Sequence, residues 1–257
     1  MPEINQVELE VLKNSLIRLV GNQYLANEDT RLLKTRTGIS IHGCRFRHVE
    51  LSDSMIQNNL SLYEIEKISQ FKEQTRRKQY YTGRILAKRC LSDLININLI
   101  DFKNITIGSD NGGNQFCNLS VEGIEFKGNI SISHKGEYVI VAGTTEGEVG
   151  LDLEELTKHQ GIERRISLNH TEGDVRRFNT FLETAFPEIS LNFSYTIIWS
   201  ALEAGFKAFY YLDSKSPIEF KLIVEKEKVS IIHRAEPIVS KSVYITLAGK
   251  YILTIVA

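Results

Sequence analysis

Four short apolar runs close this chain, at residues 218–224, 228–233, 242–246 and 250–256, each bounded by polar or glycine-containing turns. Runs of this length, rich in Ile, Val and Tyr, read as strands, and strands in such close succession read as a meander. A sheet of that kind has an apolar face that another layer must cover. Helical periodicity lies just upstream, at about 173–186 and 194–212 with Pro187 between the segments, and a strand-like VGLDL at 149–153 precedes both.

The first half follows the same order. Residues 7–20 place apolar side chains at helical spacing, 39–48 alternate as a strand, and helical periodicity runs from about Leu62 to Leu94 with room for a break. After the turn-rich 108–114 come short strands near 115–119 and 122–126. Clear strands follow at 129–133 and 138–142, around a tight His134-Lys135-Gly136-Glu137 turn. Helices followed by strands in both halves give an expected fold class of α+β, with two related lobes joined near residue 147. The expected organisation is an N-terminal extension without an assigned role (1–38), a first lobe (39–147) and a second lobe (148–257). No repeat in the sequence is strong enough to prove duplication.

At 257 residues with a net charge of −1, the chain has no overall basic field for nucleic acid or an anionic membrane, so any anion site is built locally. Cys44, Cys90 and Cys117 are widely spaced and form no metal-ligand pattern, which fits reduced thiols in a cytoplasmic protein. No apolar run approaches the ~18 residues that span a bilayer, and the N-terminus lacks the features of a signal peptide. The expectation is a soluble cytoplasmic protein without nucleic-acid or membrane partners.

Four clusters carry chemistry. Asp152 and Glu154 stand two apart in VGLDLEE, so a strand turns both carboxylates to one face. Hard cations such as Mg²⁺ take oxygen ligands of this kind, although a D-x-E pair is more often a solvated strand end. Glu203 and Lys207 stand four apart on a helix and share a face, either as a surface salt bridge or as a carboxylate and ammonium serving one site. In NISISHKG, Ser133, His134 and Lys135 gather a hydroxyl, an imidazole and an ammonium at a strand end, where a merely polar turn is the plainer reading. Arg77, Tyr81, Arg84 and Lys88 stack along one helical face, which is otherwise a solvated basic surface. Gly83 within that helix costs about 1 kcal/mol against alanine, a reason to expect close approach there.

Taken together and in order, the segments RRKQYYTGR (76–84), SISH (131–134), GLDLE (150–154) and WSALEAGFK (199–207) resemble the Sfp-type 4′-phosphopantetheinyl transferases. That family carries an Arg-rich helix ending in Gly-Arg, a Ser-His turn, G-[IV]-D-x-E and W-[ST]-x-K-E-[AS]-x-x-K. The resemblance spans about residues 39–257. It implies a monomeric pseudo-dimer of two similar α+β lobes and transfer of the phosphopantetheine arm of coenzyme A to a serine of an apo carrier protein, releasing adenosine 3′,5′-bisphosphate. It further implies that Asp152, Glu154 and Glu203 hold Mg²⁺, or alternatively Mn²⁺, with Glu203 also serving as base. Lys207 would neutralise phosphate charge, and Arg77, Arg84, Ser133, His134 and Lys135 would grip coenzyme A. The carrier type, whether acyl, polyketide or peptidyl, is not implied.

Two positions depart from the pattern. Leu202 replaces the lysine before the metal glutamate, and Asn114, in Gly113-Asn114-Gln115, replaces the lysine of a Gly-Lys-Pro loop. Both departures remove positive charge, and Lys135 is a possible compensation. They keep a non-catalytic relative that binds coenzyme A or a carrier in contention. A metal-dependent pyrophosphate hydrolase using the same carboxylates is the rival from another class.

Overall fold

The computed structural model describes residues 3–20, 31–95, 101–109, 115–121, 124–157, 161–209, 212, 214 and 216–257. Asn114 and Gly113, which carry one of the two departures, lie outside the described residues. The chain forms two compact units, Met1–Val149 and Gly150–Ala257, and both combine helices with antiparallel sheet, an α+β architecture.

In the first unit, helix α1 (Gln6–Val20) is followed by strands β1 (Arg31–Lys34) and β2 (Ile39–Arg45). It buries Leu12, Leu16 and Leu19 and packs against both strands. Helices α2 (Asp53–Asn59), α3 (Leu62–Ser69) and α4 (Gln74–Ile95) come next. The expected long helical stretch is thus two helices, and the break falls at residues 70–73. Helix α3 starts where Ser61 caps it, the Ser61 hydroxyl accepting from Glu64 N while the Glu64 carboxylate accepts from Ser61 N. Strands β3 (Thr106–Ser109), β4 (Gln115–Val121), β5 (Ile124–Lys135) and β6 (Tyr138–Thr144) complete a sheet of order β1-β2-β6-β5-β4-β3.

Helix α4 crosses the sheet over β2, β6 and β5. Its Gly83 allows that contact: a Cβ there would lie 3.3 Å from Ile132 Cγ2 and 3.8 Å from Val139 Cγ1. The close approach expected at this glycine is therefore made by the sheet. Strand β5 continues through Lys135 and pairs with β6 across a two-residue Gly136-Glu137 loop, with Gly136 at φ 58°. Glycine is favoured at the first position of such hairpin loops because positive φ carries little penalty there.

In the second unit, strand β7 (Gly150–Glu155) leads to helices α5 (Ile162–Ser167), α6 (Glu172–Ala185) and α7 (Ser194–Ala208). Strands β8 (Phe220–Glu225), β9 (Lys228–His233), β10 (Ser240–Ala248) and β11 (Tyr251–Val256) form the meander read from the sequence. The sheet order is β7-β11-β10-β9-β8, and every pairing is antiparallel. Helix α7 packs across β7 and β11, and Ile197, Ala201, Leu202, Ala204 and Ala208 enter a core shared with Ile231, Ile245 and Ile252. Among the described residues, no helix is long and apolar enough to cross a membrane.

Candidate active site

The period of two along β7 sends Leu151 and Leu153 to one face of the sheet and Gly150, Asp152 and Glu154 to the other. Helix α7 lies on that second face, because Gly150 has no side chain. A Cβ on Gly150 would lie 1.8 Å from Ala204 O and 2.7 Å from Ala208 N, so the helix backbone occupies the space a side chain would need. Glu203 and Lys207, one helical turn apart, are thereby brought over the strand's carboxylates.

Ligand oxygens of Asp152, Glu154 and Glu203 all lie within 4.8 Å of one another. Asp152 is 2% exposed and the two glutamates are half-buried. Lys207 Nζ donates to Asp152 Oδ1 at 3.0 Å and to Leu151 O at 2.9 Å. Burial, followed by repulsion from the Asp152 carboxylate, pushes Glu203 up to about 7; Lys207 opposes this and Glu154 adds to it. Three carboxylates confined in one partly dry place repel one another, and a hard divalent cation relieves that repulsion with the oxygen ligands it prefers. The donor set therefore fits Mg²⁺ or Mn²⁺.

The other sequence-derived residues lie on the first unit, and the structure does not gather them in one place. Strand alternation sends His134 to the α4 face of the sheet and Ser133 and Lys135 to the opposite face. His134 is exposed, with Nε2 3.0 Å from Arg76 Nη1, while Ser133 is buried. Arg77 is half-buried, and its Nε has no hydrogen-bond partner among the described residues.

Arg84 is turned inward. Its guanidinium lies 4.4 Å over the Tyr80 ring, and its Nε is 3.9 Å from Glu64 Oε1. Lys88, expected on the same basic face, is fully buried and donates to Glu64 Oε2 at 2.6 Å and to Asn59 O at 2.8 Å. Glu64 also accepts from Ile107 N at 3.1 Å, so a single carboxylate ties α3, α4 and β3 together. Sequence reasoning missed this hub, although the Ser61-x-x-Glu64 capping signature was present to be read. Leu202 is fully buried in the core of the second unit, which explains an apolar residue at that departure.

Residues 50–146 match the family model described as 4′-phosphopantetheinyl transferase, N-terminal. That stretch holds Arg77, Arg84, Ser133, His134 and Lys135 and ends before the acidic cluster. No curated protein matches the chain. Among solved structures, the chain is similar to a holo-(acyl-carrier-protein) synthase from Bacillus anthracis str. Ames in complex with CoA (3′,5′-ADP), at 24% identity and a TM-score of 0.36. That likeness covers 41% of this chain and 92% of the other. It is also similar to the Thermotoga maritima holo-[acyl-carrier-protein] synthase, at 16% identity and a TM-score of 0.36, over 46% of this chain and 68% of that one.

Proposed function

We propose that this chain, whose residues 50–146 match the family model described as 4′-phosphopantetheinyl transferase, N-terminal, is an Sfp-type enzyme. It transfers the phosphopantetheine arm of coenzyme A to a serine of an apo carrier protein. The observation that carries this reading is the convergence of Asp152, Glu154 and Glu203 within 4.8 Å beside Lys207.

Asp152, Glu154 and Glu203 would hold a divalent cation, which when bound would supply charge stabilisation to the pyrophosphate. The carrier serine oxygen forms a bond to the phosphorus that bears the pantetheine. The bond from that phosphorus to the bridging oxygen breaks, and adenosine 3′,5′-bisphosphate leaves. The serine proton passes to a carboxylate oxygen of Glu203 acting as general base. Lys207, anchored by Asp152 and the Leu151 carbonyl, presents its positive charge to the developing phosphate charge. On the first unit, Arg77 on α4 and His134, which lies beside Arg76 of α4, serve an anionic group of coenzyme A, whereas Ser133 and Lys135 turn to the opposite face of the sheet and take no part in that contact, and Arg84 acts through the buried contacts that hold α4 in place. The chain works as a monomeric pseudo-dimer of its two units, with residues 1–38 as an N-terminal addition to the first lobe.

Mass spectrometry of apo carrier proteins incubated with this chain, coenzyme A and Mg²⁺ tests the reading. A mass gain of one phosphopantetheine on carrier serine is expected, and it is lost when that serine is alanine. Steady release of adenosine bisphosphate without a carrier would instead identify a hydrolase. Coenzyme A binding without turnover on any carrier would identify a non-catalytic relative.

A further inference from the structure

Strand β11 runs between β7 and β10, and its register sets Thr254 directly opposite Asp152 and Ile252 directly opposite Glu154. Directly paired residues of an antiparallel sheet point to the same face, with Cβ atoms about 4.5–5.5 Å apart. Thr254 therefore stands beside Asp152 on the face that α7 covers, and Ile252 and Val256, two residues to either side of it, enter the core under that helix. Thr254 is fully buried, and its hydroxyl has no hydrogen-bond partner among the described residues. A hydroxyl in that state is destabilising, and an apolar side chain of the same shape would be the more stable occupant.

We propose that Thr254 is a positioning residue for the acidic cluster: its hydroxyl donates to the Asp152 carboxylate when the cluster closes on a divalent cation. The inference rests on reading the cluster as a metal centre. Lys207 Nζ already donates to Asp152 Oδ1 at 3.0 Å, and an ionised carboxylate has lone pairs for a second donor and a cation besides. Pairing with β7 fixes the Thr254 backbone alongside Asp152, and branching at Cβ limits the directions its hydroxyl can take. A donor held in this way orients a ligating carboxylate and raises its affinity for the metal. Lys207 reaches Asp152 from the helix and Thr254 from the sheet, so the carboxylate is steadied from two elements.

Burial alone does not make a hydroxyl a positioning group, and Thr246 on β10 supplies the contrast. It is 2% exposed, and its hydroxyl also has no partner among the described residues. Ile245 is the residue of β10 paired with Thr254, so alternation sends Thr246 to the face away from α7 and from the cluster.

Mn²⁺ is the probe, titrated into the full chain by electron paramagnetic resonance of the free ion and read beside thermal melts. Thr254→Val keeps the shape and removes the hydroxyl; it should melt at or above the parent temperature yet bind Mn²⁺ about ten- to a hundredfold more weakly. Thr254→Ser keeps the hydroxyl and loses a buried methyl group; it should melt lower yet bind Mn²⁺ within about threefold of the parent. Thr246→Val should bind as the parent does. A threonine with a merely structural role would move the melts and leave affinity alone. Parent-like Mn²⁺ affinity in Thr254→Val overturns the proposal while leaving the metal reading intact, as does a loss in Thr254→Ser or Thr246→Val equal to that in Thr254→Val. Failure of the parent chain to bind Mn²⁺ overturns both. Should Thr254→Val fail to fold, Thr254→Ala, which also lacks the hydroxyl and adds no bulk, takes its place with the same expected loss of affinity.

Discussion

Gly150→Ala tests how the active site is assembled, because the atoms it meets belong to backbone. The new Cβ would lie 1.8 Å from Ala204 O, and ordinary contact begins at 3.4 Å, so helix and strand must separate by the difference of about 1.6 Å. Overpacking of this kind costs about 1–3 kcal/mol, which in a chain of this size lowers the melting temperature by about 2–12 °C. The local consequence is larger. Glu203 and Lys207 ride on α7, so the same displacement stretches the 3.0 Å Lys207–Asp152 contact and moves Glu203 away from Asp152 and Glu154. Metal-ligand distances tolerate about 0.2 Å, and an error near 1 Å in a reacting group lowers rate by about a hundredfold. Thermal melts, Mn²⁺ titration and carrier-modification assays of the variant should show a folded protein with at least a hundredfold loss of activity. Gly205→Ala is the control, since its Cβ would meet the Ile231 Cδ1 end of a movable side chain at 2.1 Å and should be far milder for the site. Parent-like cation affinity and activity in Gly150→Ala would refute the claim that this glycine assembles the cluster.

Three further outcomes follow from the buried charges and the core. Glu203 is held at about 7 in the folded chain against 4.5 for an ordinary glutamate, so the folded state keeps a proton that the unfolded state releases between those pH values. Stability of the cation-free protein should therefore fall as pH rises from about 4.5 to about 7 and then level off. Glu203→Gln should remove that slope in thermal melts and abolish carrier modification, as should Asp152→Ala or Glu154→Ala with the fold intact. Leu202→Lys, which restores the residue type of the family pattern, places an ammonium in a fully buried core position; it should lose several kcal/mol in urea unfolding and yield no better activity. Glu64→Gln leaves the fully buried Lys88 ammonium without its carboxylate and should cost about 3–5 kcal/mol by the same measurement.

The two halves of the acidic site were legible because each obeys a local period. A strand turns residues two apart to one face, which pairs Asp152 with Glu154, and a helix aligns residues four apart, which pairs Glu203 with Lys207. The α+β class was legible for the same reason, through strand alternation at the C-terminus and helical spacing ahead of it. Other details depended on which groups packing brought together. Nothing local to Gly150 shows that a helix some fifty residues later will rest its backbone on that glycine, and this contact joins the two pairs into one cluster. The basic face of α4 was correctly read as a face, yet α3 supplies Glu64 and turns Arg84 and Lys88 inward, because a carboxylate buried between helices draws the nearest cations to it. Ser133, His134 and Lys135 looked like one turn, but β5 runs on through Lys135 and alternation parts them across the sheet. Periodicity is a property of neighbours along the chain and can be read from the sequence, whereas the partners that neutralise a buried charge or accept a close backbone contact are far apart in sequence and are chosen only when the core closes.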